Sequence, residues 1–437
     1  MIPESIKKHK PKCTEIHSIS GKYYVYQITS VWNKEEKRPK KKTLGCIGKI
    51  TEEDGFIPSK KSIKKNDVTN VIVKEYGCFK LFTSLNEDLY NKLKIHFVTS
   101  YKEIYVLAML RLLNKTTNAS ISRYYNASYL SEEFKDLHLS ENTITTFMND
   151  LGERRPQMSE FMKEFIPEGE TLLFDGTNIF TSSQGSSYAR YGYNSKGKTT
   201  TQVNLLYAFA KDTHAPIYYR LLPGNIVDKA AFTSLIKESG VKNCIIIADK
   251  GFYSKKNTSY LDDEHLQYIL PLCSDTKYVS NEFLSEIGTT KYDNCFVYHN
   301  RVIWYKKKTI GSDGKFIYIF QDDGARKNKE LLYMQKKAAE YEDYSLEDFY
   351  EKQKRFGMQF FYSNIDTDAQ SVYLYYKGRW EIEECFDYLK NALDLGTVYQ
   401  RSNEKIEAWA FLNHISLMMF YSLYKRLTDR GLINKYG

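Results

Sequence analysis

The chain lacks the means to staple itself covalently. Its seven cysteines stand at positions 13, 46, 78, 244, 273, 295 and 385. No two are close enough for a Cys-x-x-Cys clip and the number is odd, so neither a disulfide framework nor a zinc ribbon is expected. The eight histidines are as scattered and form no His-x-x-x-His pair, so any metal would have to be held by carboxylates. Only 9 prolines and 23 glycines in 437 residues exclude a collagen-like chain. Long apolar runs are missing too: Phe411 to Tyr421 is broken by Asn413 and His414, short of the roughly 18–20 apolar residues of a membrane span. Lysine-rich Met1 to Lys12 has no apolar segment behind it, so no signal peptide and no membrane partner are expected, and the cytoplasm is the default.

What is present is ordinary for soluble protein, 42% hydrophobic and 27% charged, at a length that suits two or three domains. The charge is unevenly placed. Residues 1–100 hold 20 Lys and Arg against 11 Asp and Glu, whereas the remainder holds 43 of each. All of the +9 excess therefore sits in the first quarter, densest from Lys34 to Lys42. A polyanion, nucleic acid above all, is the natural partner, because each phosphate contact releases a condensed counterion. A solubilising lysine loop is the plainer alternative.

Residues 22–32 and 43–50 are rich in aromatic and β-branched types, which predicts a β-hairpin with the basic stretch 33–42 at its tip. Helical patterns begin near 82, with an apolar helix at 101–113 and another at 119–127. A further helix, capped by Ser140 or Asn142, presents Ile144, Phe147, Met148 and Leu151 on one face and Thr143, Thr145 and Asn149 outward. Helix, turn and capped helix suit a helix-turn-helix, though many bundles share the pattern. From about 170 the texture becomes strands at 171–177, 203–210 and 217–222, a helix at 228–239, and strands at 244–251 and 267–272: a mixed α/β sheet. Residues 275–355 differ, β-rich then helical and charged, and read as an insertion before helices return at 366–395 and 405–426.

Asp175 and Asp249 each close an apolar run and precede a glycine, directly or one residue on. Carboxylates at the ends of neighbouring buried strands would meet at one sheet edge, where a hard cation such as Mg²⁺ or Mn²⁺ offsets their desolvation. Either acid alone could instead be a turn residue or helix cap. A third element is Tyr376-Lys-Gly-Arg-Trp-Glu-Ile-Glu-Glu-Cys-Phe-Asp-Tyr-Leu-Lys390. At about 100° per residue, Arg379, Lys390 and Glu383 fall roughly 60°, 40° and 20° from Tyr376 on a helix. An ordinary ladder of helical ion pairs would look the same.

These residues resemble the bacterial insertion-sequence DDE transposases of the IS-four group, defined by a Tyr-Arg-Glu-Lys signature. The likeness rests on Arg379-Trp-x-Ile-Glu383, Phe386-x2-Leu-Lys390, Asp175-Gly-Thr and Asp249-Lys-Gly-Phe, with the hairpin and Ile47-Gly-Lys adding to it. Lys250 departs mildly, since many members carry arginine there, with its bidentate phosphate geometry.

The resemblance implies an α/β fold: a ribonuclease-H-like catalytic domain at 156–430 with a largely β insertion at about 275–355. Before it come a basic β-rich region at 1–80, containing the hairpin, and a helical, helix-turn-helix-like DNA-binding region at 81–155. It implies cut-and-paste DNA transposition on two Mg²⁺ or Mn²⁺ ions. Asp175 would bridge them, Asp249 would serve one and Glu383 the other. Tyr376, Arg379 and Lys390 would grip a phosphate beside the cut, with Lys250 also on DNA. Trp380 would either pack beneath its helix or meet a displaced base. Implied partners are the element's terminal inverted repeats, target DNA and, on DNA, a second copy of the chain. The place would be the bacterial cytoplasm, at the nucleoid. Two other readings stay open: a nuclease of the same fold that cuts without strand transfer, and a DNA-binding regulator with a dead site.

Overall fold

The computed structural model describes residues 2–33, 36–59, 71–193, 199–226, 228–286, 288–312, 314–340, 345–393 and 396–433. Lys34 and Glu35 of the basic stretch lie outside them. The chain divides into two units, Met1–Val73 and Lys74–Gly437.

In the first unit, a short helix α1 (Glu4–Lys7) precedes a four-stranded antiparallel meander of β1 (Thr14–Ile19), β2 (Lys22–Asn33), β3 (Arg38–Thr51) and β4 (Gly55–Pro58). Ile6, Ile16, Val25 and Ile50 form its small core. The predicted hairpin is β2 with β3, but it is longer than expected. Lys40, Lys41 and Lys42 pair with Val31, Ser30 and Thr29 inside the ladder instead of sitting in a loop. Beyond the reach of β1 and β4 these strands form a two-stranded ribbon, with Trp32 62% exposed near its end. Alternating β-branched and aromatic residues on β2 favour pairing strongly enough to draw the lysines into β3.

The second unit opens with helices α2 (Gly77–Leu85), α3 (Glu87–His96), α4 (Tyr101–Asn114), α5 (Asn118–Ala127), α6 (Leu130–Glu133), α7 (Glu141–Gly152) and α8 (Arg155–Lys163). Every residue from Ile104 to Leu112 of α4 is buried, as expected for a helix apolar on all sides. The Ser140 hydroxyl accepts the Thr143 N–H and caps α7. Ile144, Met148 and Leu151 are buried and Phe147 half-buried; Thr143 is exposed, but Thr145 and Asn149 are half-buried.

The sheet then builds from β5 (Thr171–Thr181), β6 (Arg190–Tyr193), β7 (Thr199–Ala210), β8 (Ala215–Pro223), helix α9 (Asp228–Ser239), β9 (Ile245–Ala248), helix α10 (Lys255–Asp263) and β10 (Gln267–Pro271). Its central order is β8-β7-β5-β9-β10, with β7 antiparallel to both β8 and β5 and with β9 and β10 parallel to β5. After α11 (Asn281–Ser285) come β11 (Asn294–Tyr298), β12 (Arg301–Ile310), β13 (Lys315–Asp322), helices α12 (Asp323–Glu340) and α13 (Leu346–Gln353), and β14 (Met358–Ser363). These strands continue the same sheet, since β14 pairs with β10 and β13, β12 and β11 follow in turn. Helices α14 (Ala369–Lys377) and α15 (Trp380–Asp387), a π-turn at Tyr388–Ala392, strand β15 (Thr397–Val398) and the long α16 (Asn403–Asp429) complete the chain.

Helix α16 lies against α4, α7 and β8 and unites the bundle with the sheet. Arg155 at the start of α8 adds a buried polar link, donating to the Tyr219 carbonyl and to Glu238 of α9. Where α7 meets α16 the backbones nearly touch: a Cβ at Gly152 would lie 1.8 Å from the Glu404 carbonyl oxygen. In most helical positions alanine is favoured over glycine. Here Gly152→Ala is expected to destabilise by at least about 2 kcal/mol, because main chain cannot step aside as a side chain can. Urea unfolding would decide it, and a variant as stable as the parent would refute the close approach.

Candidate active site

Parallel pairing of β5 with β9 runs from Thr171–Ile245 to Phe174–Ala248. The next residue on each strand is an acid, Asp175 and Asp249, so two carboxylates emerge side by side on backbones about 4.8 Å apart. The strand expected at 171–177 is longer than expected: β5 continues to Thr181. Gly176 does not break it, because β7 goes on pairing with β5 as far as Phe180 and β15 replaces β9 on the other side. Asp249 precedes a single 3₁₀ turn at Lys250–Phe252, but its side chain makes no capping bond there. The Asp175 carboxylate accepts the N–H of Gly176 at 2.8 Å.

Across this edge stands the signature segment. Arg379 precedes α15 and donates from Nη1 to Asp175 Oδ2 at 2.7 Å and from Nη2 to Glu383 Oε1 at 2.5 Å. One guanidinium thus bridges the first and third of the three acids. Burial is the largest influence on Asp175, followed by the opposing pull of Arg379 and the repulsion of Asp249 and Glu383. Together they push its pKa up to about 6. Arg379 is shifted upward: burial works against its charge, but Asp175, Tyr376, Asp249 and Glu383 outweigh it. Tyr376, in the last turn of α14, packs its ring 4.6 Å from that of Phe361 and is raised chiefly by burial.

The inner face of α15 explains its seat. Ile382, Cys385 and Phe386 are buried, while Glu381 pairs with His214 of the β7–β8 turn at 2.8 Å. Three details refine the sequence reading. The helix is interrupted between α14 and α15 and passes into a π-turn at Lys390, so ideal α spacing does not carry as far as that residue. Trp380 is 49% exposed, which removes the alternative in which it packs beneath the helix. Arg379, expected to face DNA, is engaged with the acids.

Beside the acids opens a cleft of about 800 Å³, lined among others by Asp249, Lys250, Phe361, Tyr376 and Lys329. Lys250 is exposed at it. Lys329 was not singled out from the sequence, where it is one lysine in a charged helix; only the extension of the sheet brings α12 to this cleft. Among the described residues, no group of three or more His, Cys, Asp or Glu side chains is placed to hold a metal ion. The oxygen-only donors and the mutual repulsion of Asp175 and Asp249 suit a hard divalent cation. Glu383 is hydrogen-bonded to Arg379, so the two neighbouring aspartates are the acids whose placement fits such a cation here.

Fold and site together define a mixed α/β protein with a carboxylate edge bridged by the guanidinium of Arg379, at the start of α15. The match to known families is specific: a transposase DDE domain spans residues 166–419, more than half of the chain, and the chain belongs to that family. Its function is that of a transposase in DNA transposition, and the family generally uses divalent metal ions. Among solved structures it is similar to the piggyBac transposase in its synaptic complex with hairpin DNA. That similarity is at 12% identity and a TM-score of 0.44, over 84% of this chain and 78% of that one. No curated protein matches the chain. Among the described residues no helix is long and apolar enough to cross a membrane.

The shift of Asp175 has a signed consequence. Its carboxyl ionises at about 3.8 when unperturbed and at about 6 when folded. Below both values it is neutral in either state and contributes nothing; as pH rises through that window the folded state loses stability relative to the unfolded one. Asp175→Asn, lacking the charge, is expected to gain on the parent by up to about 3 kcal/mol between pH 4 and pH 7 in chelator. Thermal melts at both pH values measure this, and a pH-independent gap would contradict it.

Proposed function

We propose that the protein cuts and joins the ends of its own insertion sequence, hydrolysing a phosphodiester and transferring the freed 3′-hydroxyl to target DNA. One observation carries the reading: Asp175 and Asp249 emerge together from paired parallel strands, opposite a helix that presents Arg379 and Glu383. The order β8-β7-β5-β9-β10, three antiparallel strands and then two parallel ones, supports a ribonuclease-H-like domain at 156–430. The regions 1–80 and 81–155 are assigned to DNA binding. The convergence of Tyr376, Arg379 and Glu383 supports membership of the IS-four group.

In this mechanism Asp175, Asp249 and Glu383 would hold two Mg²⁺ or Mn²⁺ ions, Asp175 sharing both, Asp249 serving one and Glu383 the other. Such ions would supply activation of the attacking oxygen and stabilisation of the leaving one. Tyr376, Arg379 and Lys390 hold the phosphate beside the cut, Lys250 meets the strand at the cleft, and exposed Trp380 is placed for a displaced base. Arg379 neutralises acids in the unbound protein and turns to phosphate when DNA arrives. Terminal inverted repeats and target DNA are the partners, the DNA-bound form is a homodimer, and the site of action is the bacterial cytoplasm at the nucleoid.

Incubating the full chain with its element ends and Mg²⁺ tests this. Asp175→Asn, Asp249→Asn and Glu383→Gln are each expected to abolish strand cleavage while sparing end binding; near-parental cutting by any of them removes that residue from the ligand set. The basic ribbon is tested separately. Replacing Lys40, Lys41 and Lys42 with alanine should lower the slope of log affinity against log salt by about 2–3, at roughly 0.9 per phosphate contact. An unchanged slope would leave those lysines as solubilising charge.

A further inference from the structure

A second cavity, of about 420 Å³, lies between the helical bundle and the end of the sheet. Arg111 of α4 lines it although the residue is only 8% exposed. Its Nη2 donates to Asn118 Oδ1 at 2.8 Å, and its Nε–H has no hydrogen-bond partner among the described residues. No carboxylate pairs with it among them either; burial alone acts on it, drawing its pKa down to about 10, so it stays charged at neutral pH. A buried guanidinium with an unmet donor and no counter-charge is rare, because its desolvation goes uncompensated. Lys115 adds a second cation to the lining, and α5, ten residues long, starts there with Asn118 and Ala119. Exposed Glu141 is an opposing charge at the same cavity.

The position of the cavity indicates which anion it takes. Thr397 and Tyr399 also line it, and Thr397 pairs with Phe180 of β5. That pairing is five residues along the same strand from Asp175, about 17 Å at strand rise, or half a turn of duplex. Tyr399 is 78% exposed, and an open aromatic face beside a phosphate site stacks on a base.

We propose that this cavity is a second DNA subsite: Arg111 and Lys115 hold a backbone phosphate of the strand that reaches the acids, and Tyr399 stacks on the adjoining base. The shared chemistry is a phosphate group, and the alternative source is a free phosphate or mononucleotide. The assignment rests on the strand-cleaving reading of the acidic edge.

The test uses the full-length chain, labelled element ends and a salt series read by fluorescence anisotropy, with melting in inorganic phosphate and in a mononucleotide as separate arms. Arg111→Gln and Lys115→Asn are each expected to weaken end binding roughly ten-fold or more and to lower the salt slope by about 0.7–0.9. Asparagine is chosen at 115 because the backbone there is left-handed, φ 45°. Tyr399→Ala should weaken binding with the slope unchanged, since stacking carries no charge. Should Arg111→Gln not fold, the two exposed positions decide alone. Parental slopes in Lys115→Asn and a folded Arg111→Gln, from a protein that still cuts its ends, overturn the subsite and leave the proposed function standing. Parental slopes together with a phosphate- or mononucleotide-dependent rise in melting temperature, lost in Arg111→Gln, overturn it in favour of a free-anion pocket. If the parent neither binds nor cuts its ends, both readings fall.

Discussion

Two like charges forced together at the end of a parallel strand pair set the terms for the rest of the second unit. The pairing of β5 with β9 is driven by buried Leu172, Leu173 and Phe174 against Ile246, Ile247 and Ala248, and it leaves Asp175 and Asp249 no choice of neighbour. Apolar burial of that size easily outweighs one unfavourable carboxylate contact, so the repulsion persists until a cation relieves it. In the unbound protein that cation is Arg379, 204 residues away in sequence. The bond therefore ties α15 to the sheet as well as neutralising charge. His214 and Glu381 fix the same helix to the β7–β8 turn, which limits where Glu383 can stand.

The insertion is part of this arrangement, because β14 and β13 extend the sheet past β10. Phe361 of β14 supports the Tyr376 ring, and α12 after β13 brings Lys329 to the cleft. The helical bundle is equally integral: α4 and α7 lie on α16, and α16 also covers β8. Bundle and sheet consequently share one large core, and the cavity at Arg111 forms where their elements meet.

The acidic edge was readable because it obeys local rules: an apolar run of strand length ended by an acid identifies both aspartates, and helical spacing brings Tyr376, Arg379 and Glu383 together. What could not be read depends on partners distant in sequence. Nothing near Gly176 announces that β7 and β15 will carry β5 on to Thr181. The interruption before α15 and the π-turn at Lys390 answer to packing around α15, which helical periodicity omits. Arg111 is the sharpest case: in sequence it looks like one charge on an apolar helix, and its isolation follows only from burial on every side. Trp380 is the reverse, an aromatic residue that hydropathy places inside but that its helix turns outward.

The double bond of Arg379 also constrains what can follow. Above about pH 6 Asp175 is ionised, and its carboxylate adds to an edge where acids outnumber the single guanidinium, an excess of negative charge that suits a divalent cation. A DNA phosphate adds negative charge and competes for Arg379 with the geometry that suits a guanidinium best. On the proposed reading, turning Arg379 to the phosphate would release Glu383 and leave the acids without their guanidinium, a charge that a second divalent cation would offset. In the proposed mechanism, then, assembly of the two-ion site is coupled to arrival of the strand through one side chain. The unbound protein keeps Glu383 engaged with Arg379, so on this reading the site would be complete only with a phosphate in place.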